Sequence, residues 1–309
     1  MTPQLSTNVQ TFSNDDPGSF QFLLDRVRAA DAAGVDRVVC SDHVVYGEDL
    51  DAYGDPKKGG AAGGRQPTGP DGIWLEPLTF LTAAGAVTEN IRLGTNILLA
   101  ALRRPVVLAK QAATIDVLTG GRLDIGVGVG WQKEEYQAAG LDFSSRGRQL
   151  DHTIEVLQTL WRNQVADYDS PELHFERIHQ MPKPRTEGGV PIWVSGTVNK
   201  KSASRLARFG SGWIPWGADA ANLPEAIPAM RTLVEAEGGD PSFGVVGSIG
   251  PERDSEGAVD FAATFRAAAP LVEAGVTDVR FSAIPLSDDY AHDVEIYEGV
   301  VKAFRAALI

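Results

Sequence analysis

The chain has 309 residues, 43% of them hydrophobic and 22% charged, which describes an ordinary globular protein with room for one α/β barrel or two smaller domains. A formal net charge of −13 argues against nonspecific nucleic-acid or anionic-membrane binding, although an anionic ligand stays open wherever cations gather locally. No apolar run reaches the roughly 18 residues of a membrane span, the opening "MTPQLSTNVQTFSNDD" lacks the basic and apolar regions of a signal peptide, and the single cysteine, Cys40, can form no intrachain disulfide, so a cytoplasmic setting is expected.

In chain order, a strand is expected at Gln4–Thr11, then a helix from about Ser19 to Ala33 with Phe22, Val27 and Ala30 facing the core and Gly34 closing it. Strand two is Arg37–Cys40, with Cys40 a small buried residue rather than a reactive thiol. The Gly-, Pro- and Asp-rich stretch Tyr46–Trp74 reads as a lid or flap. A helix at Glu76–Val87 leads to strand three, Ile91–Ile97, and Pro105 opens a helix that runs to Leu118. Strand four is Arg122–Val129. Leu150, Ile154, Leu157 and Trp161 then fall at helical spacing, with Ser144 or Ser145 as the cap. After an irregular stretch, Arg162–Val190, strand five is "PIWVS", followed by a helix at Lys200–Phe209 and strand six, "GWIPW". Helices at Leu223–Glu237 and Val259–Ala274 flank strand seven, Phe243–Ile249; strand eight is Asp278–Phe281, and a helix at His292–Leu308 ends the chain.

Eight strands, each followed by a helix, predict parallel strands and crossover units. At this length they close into a (β/α)8 TIM barrel with loop insertions at the C-terminal face, one domain spanning 1–309; a doubly wound open sheet is the alternative on pattern alone.

The run "GRLDIGVGVGWQKEEY" has G-x-G-x-G spacing inside a strand, not the G-x-G-x-x-G that follows a strand in dinucleotide sites. Leu123, Ile125, Val127 and Val129 share one parity, suited to packing under helices. Asp124, Gly126, Gly128 and Gly130 share the other, which points into the barrel and leaves a slot for a flat ring; the competing reading is a barrel interior filled from other strands. Gly94 and Asn96 repeat this more mildly on strand three. A Ser-Gly-Thr turn, Ser195–Thr197, precedes a helix whose N–H groups could bind an anion. Lys200, Lys201, Arg205 and Arg208 add cations with no acid among them, and Lys183 and Arg185 lie just upstream. The competing reading is a solvated helix face.

For chemistry, "SDHV" places Asp42 and His43 at the end of strand two, where a histidine can donate or accept a proton. His152, His174, His179 and His292 lack metal-ligand spacing, so no metal is expected. Glu134 and Glu135 read as helix N-terminal acids. Trp131 either walls the substrate side or packs in the core.

Four segments, "DRVVCSDHV", "EPLTFLTAAGAVTENIRLGTNI", "RRPVVLAKQAATIDVLTGGRLDIGVGVGWQKEEYQAAGLDFSSRGRQLDHTIEVLQTLW" and "PIWVSGTVNKKSASRLARFGSGW", together resemble the luciferase-like monooxygenase superfamily, from about residue 20 to 216. "GVGVGW" and "FSSRGRQLD" look like its branch of probable oxidoreductases that use coenzyme F420, a deazaflavin. The resemblance implies a (β/α)8 barrel with F420 or FMN in its mouth, a non-proline cis peptide at Asn96–Ile97, the cofactor phosphate near Ser195, Gly196 and Thr197, and His43 beside the reactive ring. Val129 stands where bacterial luciferases carry an arginine near the FMN phosphate, which favours the deazaflavin. The expected site is thus His43 as catalytic residue, with Asp42, Asn96, Ile97, Gly126, Gly128, Gly130, Ser195, Gly196, Thr197 and Lys200 binding cofactor.

The implied reaction is hydride transfer between F420 and a small organic substrate, whose identity the loops at 46–74, 250–257 and 282–290 would set. The alternatives are an FMN-dependent monooxygenase served by a separate flavin reductase and a non-catalytic flavin-binding barrel. A homodimer is expected by analogy.

Overall fold

A computed structural model describes residues 2–58, 60–287 and 289–309; positions 59 and 288, in two of the loops expected to set specificity, lie outside the described residues. Eight parallel strands, β1 (Gln4–Asn8), β2 (Arg37–Cys40), β3 (Arg92–Thr95), β4 (Leu123–Val127), β5 (Ile192–Gly196), β6 (Gly212–Pro215), β7 (Gly244–Ile249) and β8 (Asp278–Phe281), close a barrel in chain order. Closure is explicit in the register, because β1 pairs with β8 (Gln4 beside Asp278) and with β2 (Ser6 beside Arg37). This removes the open-sheet alternative. The strands are buried on both faces, as parallel strands under a helical jacket must be, and β2, β4, β6 and β8 are buried throughout.

The jacket consists of α1 (Gln21–Ala33), α2 (Pro77–Ala86), α3 (Pro105–Leu118), α4 (Arg146–Arg162), α5 (Lys200–Phe209), α6 (Leu223–Ala236), α7 (Phe261–Ala267) and α8 (Tyr290–Leu308). Local chemistry sets their ends. Gly34 closes α1 at φ 85°, a conformation a Cβ would oppose. Glu76 caps α2 by accepting from the Thr79 N–H at 2.7 Å, and prolines open α2 and α3. Leu150, Ile154, Leu157 and Trp161 of α4 are all buried.

Several local expectations need correction. Phe22 is only partly buried, and Leu23, Val27, Ala29 and Ala30 form the buried face of α1. Ser145 stands at the N-cap position of α4, but its side chain makes no capping bond; Asp142 accepts from the Ser144 N–H at 2.9 Å and holds a short turn ahead of the helix. The helix expected at Val259–Ala274 is two pieces, Phe261–Ala267 and Ala269–Glu273; Pro270, which has no N–H to donate, sits in the first turn of the second. The stretch Arg162–Val190 contains an antiparallel ribbon, Ala166–Asp169 with His174–Ile178. The His174–Ile178 strand is exposed or half-buried at every position, so it carries no apolar alternation to read.

The lower barrel interior holds a charged network instead of the usual apolar layers. Arg37 donates to Asp124 (2.9 Å), to Asp278 and to Gln4, and its guanidinium stacks on the Trp193 ring at 4.8 Å. Arg92 grips Asp124 with two bonds of 2.7 Å. Strand register makes the network a row, with Arg280, Ser6, Arg37 and Arg92 side by side across β8, β1, β2 and β3.

Candidate active site

A cleft opens at the C-terminal ends of the strands. Its walls come from the ends of β2, β3, β4 and β5, and from Tyr53, Gln66, Pro67 and Trp74 of the long loop expected to act as a lid. That loop is anchored. Ile73–Trp74 pairs with Phe12–Ser13, Trp74 stacks on Phe12 at 4.2 Å, and its indole N–H donates to the Thr68 hydroxyl at 2.9 Å. Tyr53 reaches the edges of Trp131 and Trp216 across the mouth.

His43 follows β2 and sits in an aromatic box. Its ring centroid lies 4.5 Å from Tyr46, 4.9 Å from Trp74 and 5.9 Å from Trp131. Behind it is Glu135, whose Oε2 is 3.3 Å from His43 Nδ1. The pair is close but not aligned as a hydrogen bond, and among the described residues His43 Nδ1, Glu135 Oε2 and the Trp131 indole N–H are buried without hydrogen-bond partners. The other Glu135 oxygen accepts from the Val44 N–H at 2.9 Å. Gln132, with its amide turned to suit both partners, donates to Val45 O at 3.2 Å and accepts from the Gly47 N–H at 3.3 Å. The segment after β4 therefore clamps the segment after β2.

Glu135 does lie in the first turn of a short helix, Lys133–Ala138, but its side chain is buried against His43 rather than being only a solvated helix-end acid. No sequence pattern pairs two residues from loops this far apart. Trp131 walls the cleft and is also nearly buried. Burial, reinforced by the Glu135 charge, pushes the Tyr46 phenol well above its ordinary range, and burial raises Tyr53 as well. Both phenols stay protonated at neutral pH. Cys40 is fully buried and its thiol is pushed up by burial and nearby carboxylates, so it is no nucleophile.

The glycine row does something different from the expected open slot. A Cβ on Gly126 would lie 2.1 Å from the Thr95 carbonyl oxygen; one on Gly128 would lie 2.8 Å from Ile97 Cδ1; one on Gly130 would lie 2.8 Å from Leu99 Cδ2. The missing side chains admit the chain leaving β3, where the Asn96–Ile97 peptide is cis, as the resemblance implies. Gly128 and Gly130 still line the cleft, but Gly126 lies a layer below, beside Arg37, Asp124 and Arg280. Val129 also lines the cleft rather than packing wholly under the helices.

Asp42 has its side chain fully buried, where it accepts from the Leu99 N–H (2.8 Å) and from both Arg103 amino groups (2.6 and 3.1 Å). It ties β2 to the turn after β3 and also lines the cleft. Asn96, Ile97, Ser195 and Gly196 line the cleft. Thr197 turns instead to Asn199, which donates to its hydroxyl at 2.9 Å and caps α5 through the Ser202 N–H at 3.0 Å.

The expected phosphate turn is also less cationic than it reads. Asp219, from the short helix Ala218–Ala221, accepts from the Val198 N–H at 2.7 Å. Lys200 is 81% exposed and faces Glu237 at 3.5 Å, Arg205 donates to Asp151 at 2.5 Å, and Arg208 pairs with Glu155. Lys183 caps the end of α4 by donating to the carbonyls of Leu160 and Asn163. Of the expected basic helix, tertiary pairing consumes most. Among the described residues no three His, Cys, Asp or Glu side chains gather as metal ligands, and no helix is long and apolar enough to cross a membrane.

Comparison with known proteins adds the following. A family model described as luciferase-like monooxygenase matches residues 4–299. An uncharacterised protein of Mycobacterium tuberculosis strain H37Rv is 31% identical over 223 residues, 72% of this chain and 73% of that one. The F420-dependent glucose-6-phosphate dehydrogenase of Mycolicibacterium fortuitum is 30% identical over 227 residues, 70% of this chain and 60% of that one. Two solved structures share the fold at low identity. An F420-dependent secondary alcohol dehydrogenase with an F420-acetone adduct has a TM-score of 0.75 at 17% identity, covering 99% of this chain and 100% of that one. The oxygenating constituent of 3,6-diketocamphane monooxygenase from a Pseudomonas putida plasmid, in complex with FMN, has a TM-score of 0.72 at 15% identity, covering 100% and 99%.

Proposed function

The chain belongs to the luciferase-like monooxygenase family, and from that premise we propose that it is an oxidoreductase moving a hydride between coenzyme F420 and a small organic substrate. The observation that carries the reading is His43, backed by Glu135, in an aromatic cleft at the C-terminal ends of the barrel strands, where barrel enzymes carry their chemistry. Similarity to the F420-dependent dehydrogenase over 70% of the chain supports F420 as the cofactor.

The cleft suits a flat ring. Gly128 and Gly130 offer backbone without side chains, and the buried Trp131 N–H has no hydrogen-bond partner among the described residues. Asn96, Ile97, Gly128 and Gly130 would hold the ring, with Ser195 and Gly196 toward its tail. When bound, F420 supplies a ring carbon that gives or takes hydride. The protein orients the reactants and manages the proton. Glu135 facing Nδ1 favours a proton there and leaves Nε2 as the atom that exchanges one with substrate. The Tyr53 and Trp74 roof restricts water. A homodimer in the cytoplasm completes the proposal.

Titration of the purified protein with F420 and with FMN tests it. Micromolar F420 binding with weak FMN binding is expected; tight FMN binding without F420 binding would replace this reading with the reductase-served monooxygenase. His43→Ala should lower turnover by about 10²–10⁴ with substrate affinity little changed. Unchanged turnover would remove His43 from its role.

A further inference from the structure

A second cavity adjoins the cleft and shares Asn96, Ile97, Ser195 and Trp216 with it. It extends toward β7 and β8, and its only charged lining residue among those described is Arg280. That guanidinium is 4% exposed. Its Nε donates to the Ser6 hydroxyl at 3.1 Å, and its Nη2 stands 3.8 Å from Asp278, beyond hydrogen-bond range. Among the described residues it makes no other hydrogen bond or ion pair.

The nearby carboxylates are already committed. Asp278 accepts from Arg37 and from the Ser6 hydroxyl, and Asp124 from Arg37 and Arg92. Three guanidiniums therefore share two carboxylates, and the uncompensated charge falls on the arginine that faces the cavity. Burial holds the Arg280 proton affinity below the ordinary arginine value, with Asp278 only partly offsetting it and Arg37 adding repulsion. Arginine nevertheless stays charged, so a buried cation is left short of an anion.

We propose that this cavity is the subsite for an anionic group of the substrate, which makes the substrate a small organic carboxylate gripped by the two Nη groups of Arg280, with the hydroxyls of Ser195 and Ser248 and the Asn96 amide beside it. A guanidinium with both terminal nitrogens free presents the planar pair of donors that a carboxylate accepts side by side. Ile97, Ile214, Trp216 and Val246 give the cavity apolar walls for the substrate's carbon frame. The carboxylate is a handle and takes no part in hydride transfer. A neutral analogue would leave the buried donors unpaired, so the subsite also discriminates. This inference rests on the reading that substrate and cofactor meet in the barrel mouth.

The test uses benzoate and benzamide, nearly the same shape with and without the charge. Binding is followed by tryptophan fluorescence of the intact, cofactor-free protein, since Trp216 lines the cavity. Benzoate should bind roughly ten- to a hundredfold tighter than benzamide. Arg280→Met should abolish that preference by weakening benzoate binding, Arg280→Lys should keep part of it, and Ser248→Ala should weaken benzoate a few-fold. Should Arg280→Met fail to fold, as judged by circular dichroism, the lysine and Ser248 variants carry the test. Equal binding of the two probes by the wild type, or a preference that survives in the variants, overturns the proposal. F420 titration of the same proteins separates the failures. Lost F420 affinity in an Arg280 variant, without any benzoate preference in the wild type, would assign Arg280 to the cofactor and end the substrate proposal. A benzoate preference in a protein that binds no F420 would sink the hydride-transfer reading alone.

Discussion

Two sets of cations in this molecule behave in opposite ways. Lys200, Lys201, Arg205 and Arg208 lie together on α5 with no acid between them and look like a prepared anion site. In the fold, Glu237 at the end of α6 and Asp151 and Glu155 of α4 pair with three of the four. Arg37, Arg92 and Arg280 are far apart in sequence, yet strand register lines them up inside the barrel, where they outnumber their carboxylates. The local charge along a helix is what its neighbours get to neutralise; only the charge left after tertiary pairing is available to a ligand.

The contrast can be broken from the inside outward. Asp124→Asn should have the largest effect, because it leaves Arg37 and Arg92 facing each other without their shared carboxylate; a loss of about 3–5 kcal/mol in urea unfolding is expected, and a loss under about 1 kcal/mol would mean the network is not charge-balanced as described.

Alkaline pH probes the interior next. Burial raises the Tyr136 and Tyr297 phenols above their unfolded value, so above about pH 10 the unfolded chain loses protons that the folded chain keeps. Stability from these groups is intact below that pH and falls as pH rises past it, by at most about 1.4 kcal/mol per pH unit for each phenol. Chemical unfolding at pH 8 and pH 11 should differ accordingly, and equal stabilities would contradict the burial.

Arg205→Met should cost about 1–2 kcal/mol, since the arginine is buried but its partner Asp151 can turn to water. Lys200→Ala comes last. It should shift stability by no more than about 0.5 kcal/mol and F420 affinity by less than a factor of about two. A larger loss of affinity would return Lys200 to the cofactor site.

The same inside-outside distinction explains what could be read from the chain. The barrel was legible because eight apolar strands alternate with amphipathic helices, and Gly34, Pro105 and the apolar row of α4 mark boundaries through local backbone and packing rules. The two antiparallel ribbons were not, since one has strands of only two residues, Phe12–Ser13 and Ile73–Trp74, and the other has a strand, His174–Ile178, with no fully buried position, so neither carries a readable alternation. At the site, His43 was legible from its place after β2, but Glu135 was hidden because its partner comes from another loop. Asp42 lines the cleft as expected, but its bonds to Arg103 and the Leu99 N–H join loops that no local pattern pairs. The glycine row was rightly read as a requirement for absent side chains. What fills the space is partly the protein's own Ile97 and Leu99.

Hydrophobic periodicity, turn residues and strand count act over a few residues at a time, and these determined eight parallel strands alternating with helices, while the pairing of β1 with β8 decided that they close as a barrel rather than an open sheet. Which charges remain unpaired, which carboxylate backs His43, and which wall of the mouth carries Arg280 were decided by register and loop packing. Those are contacts between residues that the chain brings together only after it closes, and a carboxylate spent on one neighbour is no longer available to another.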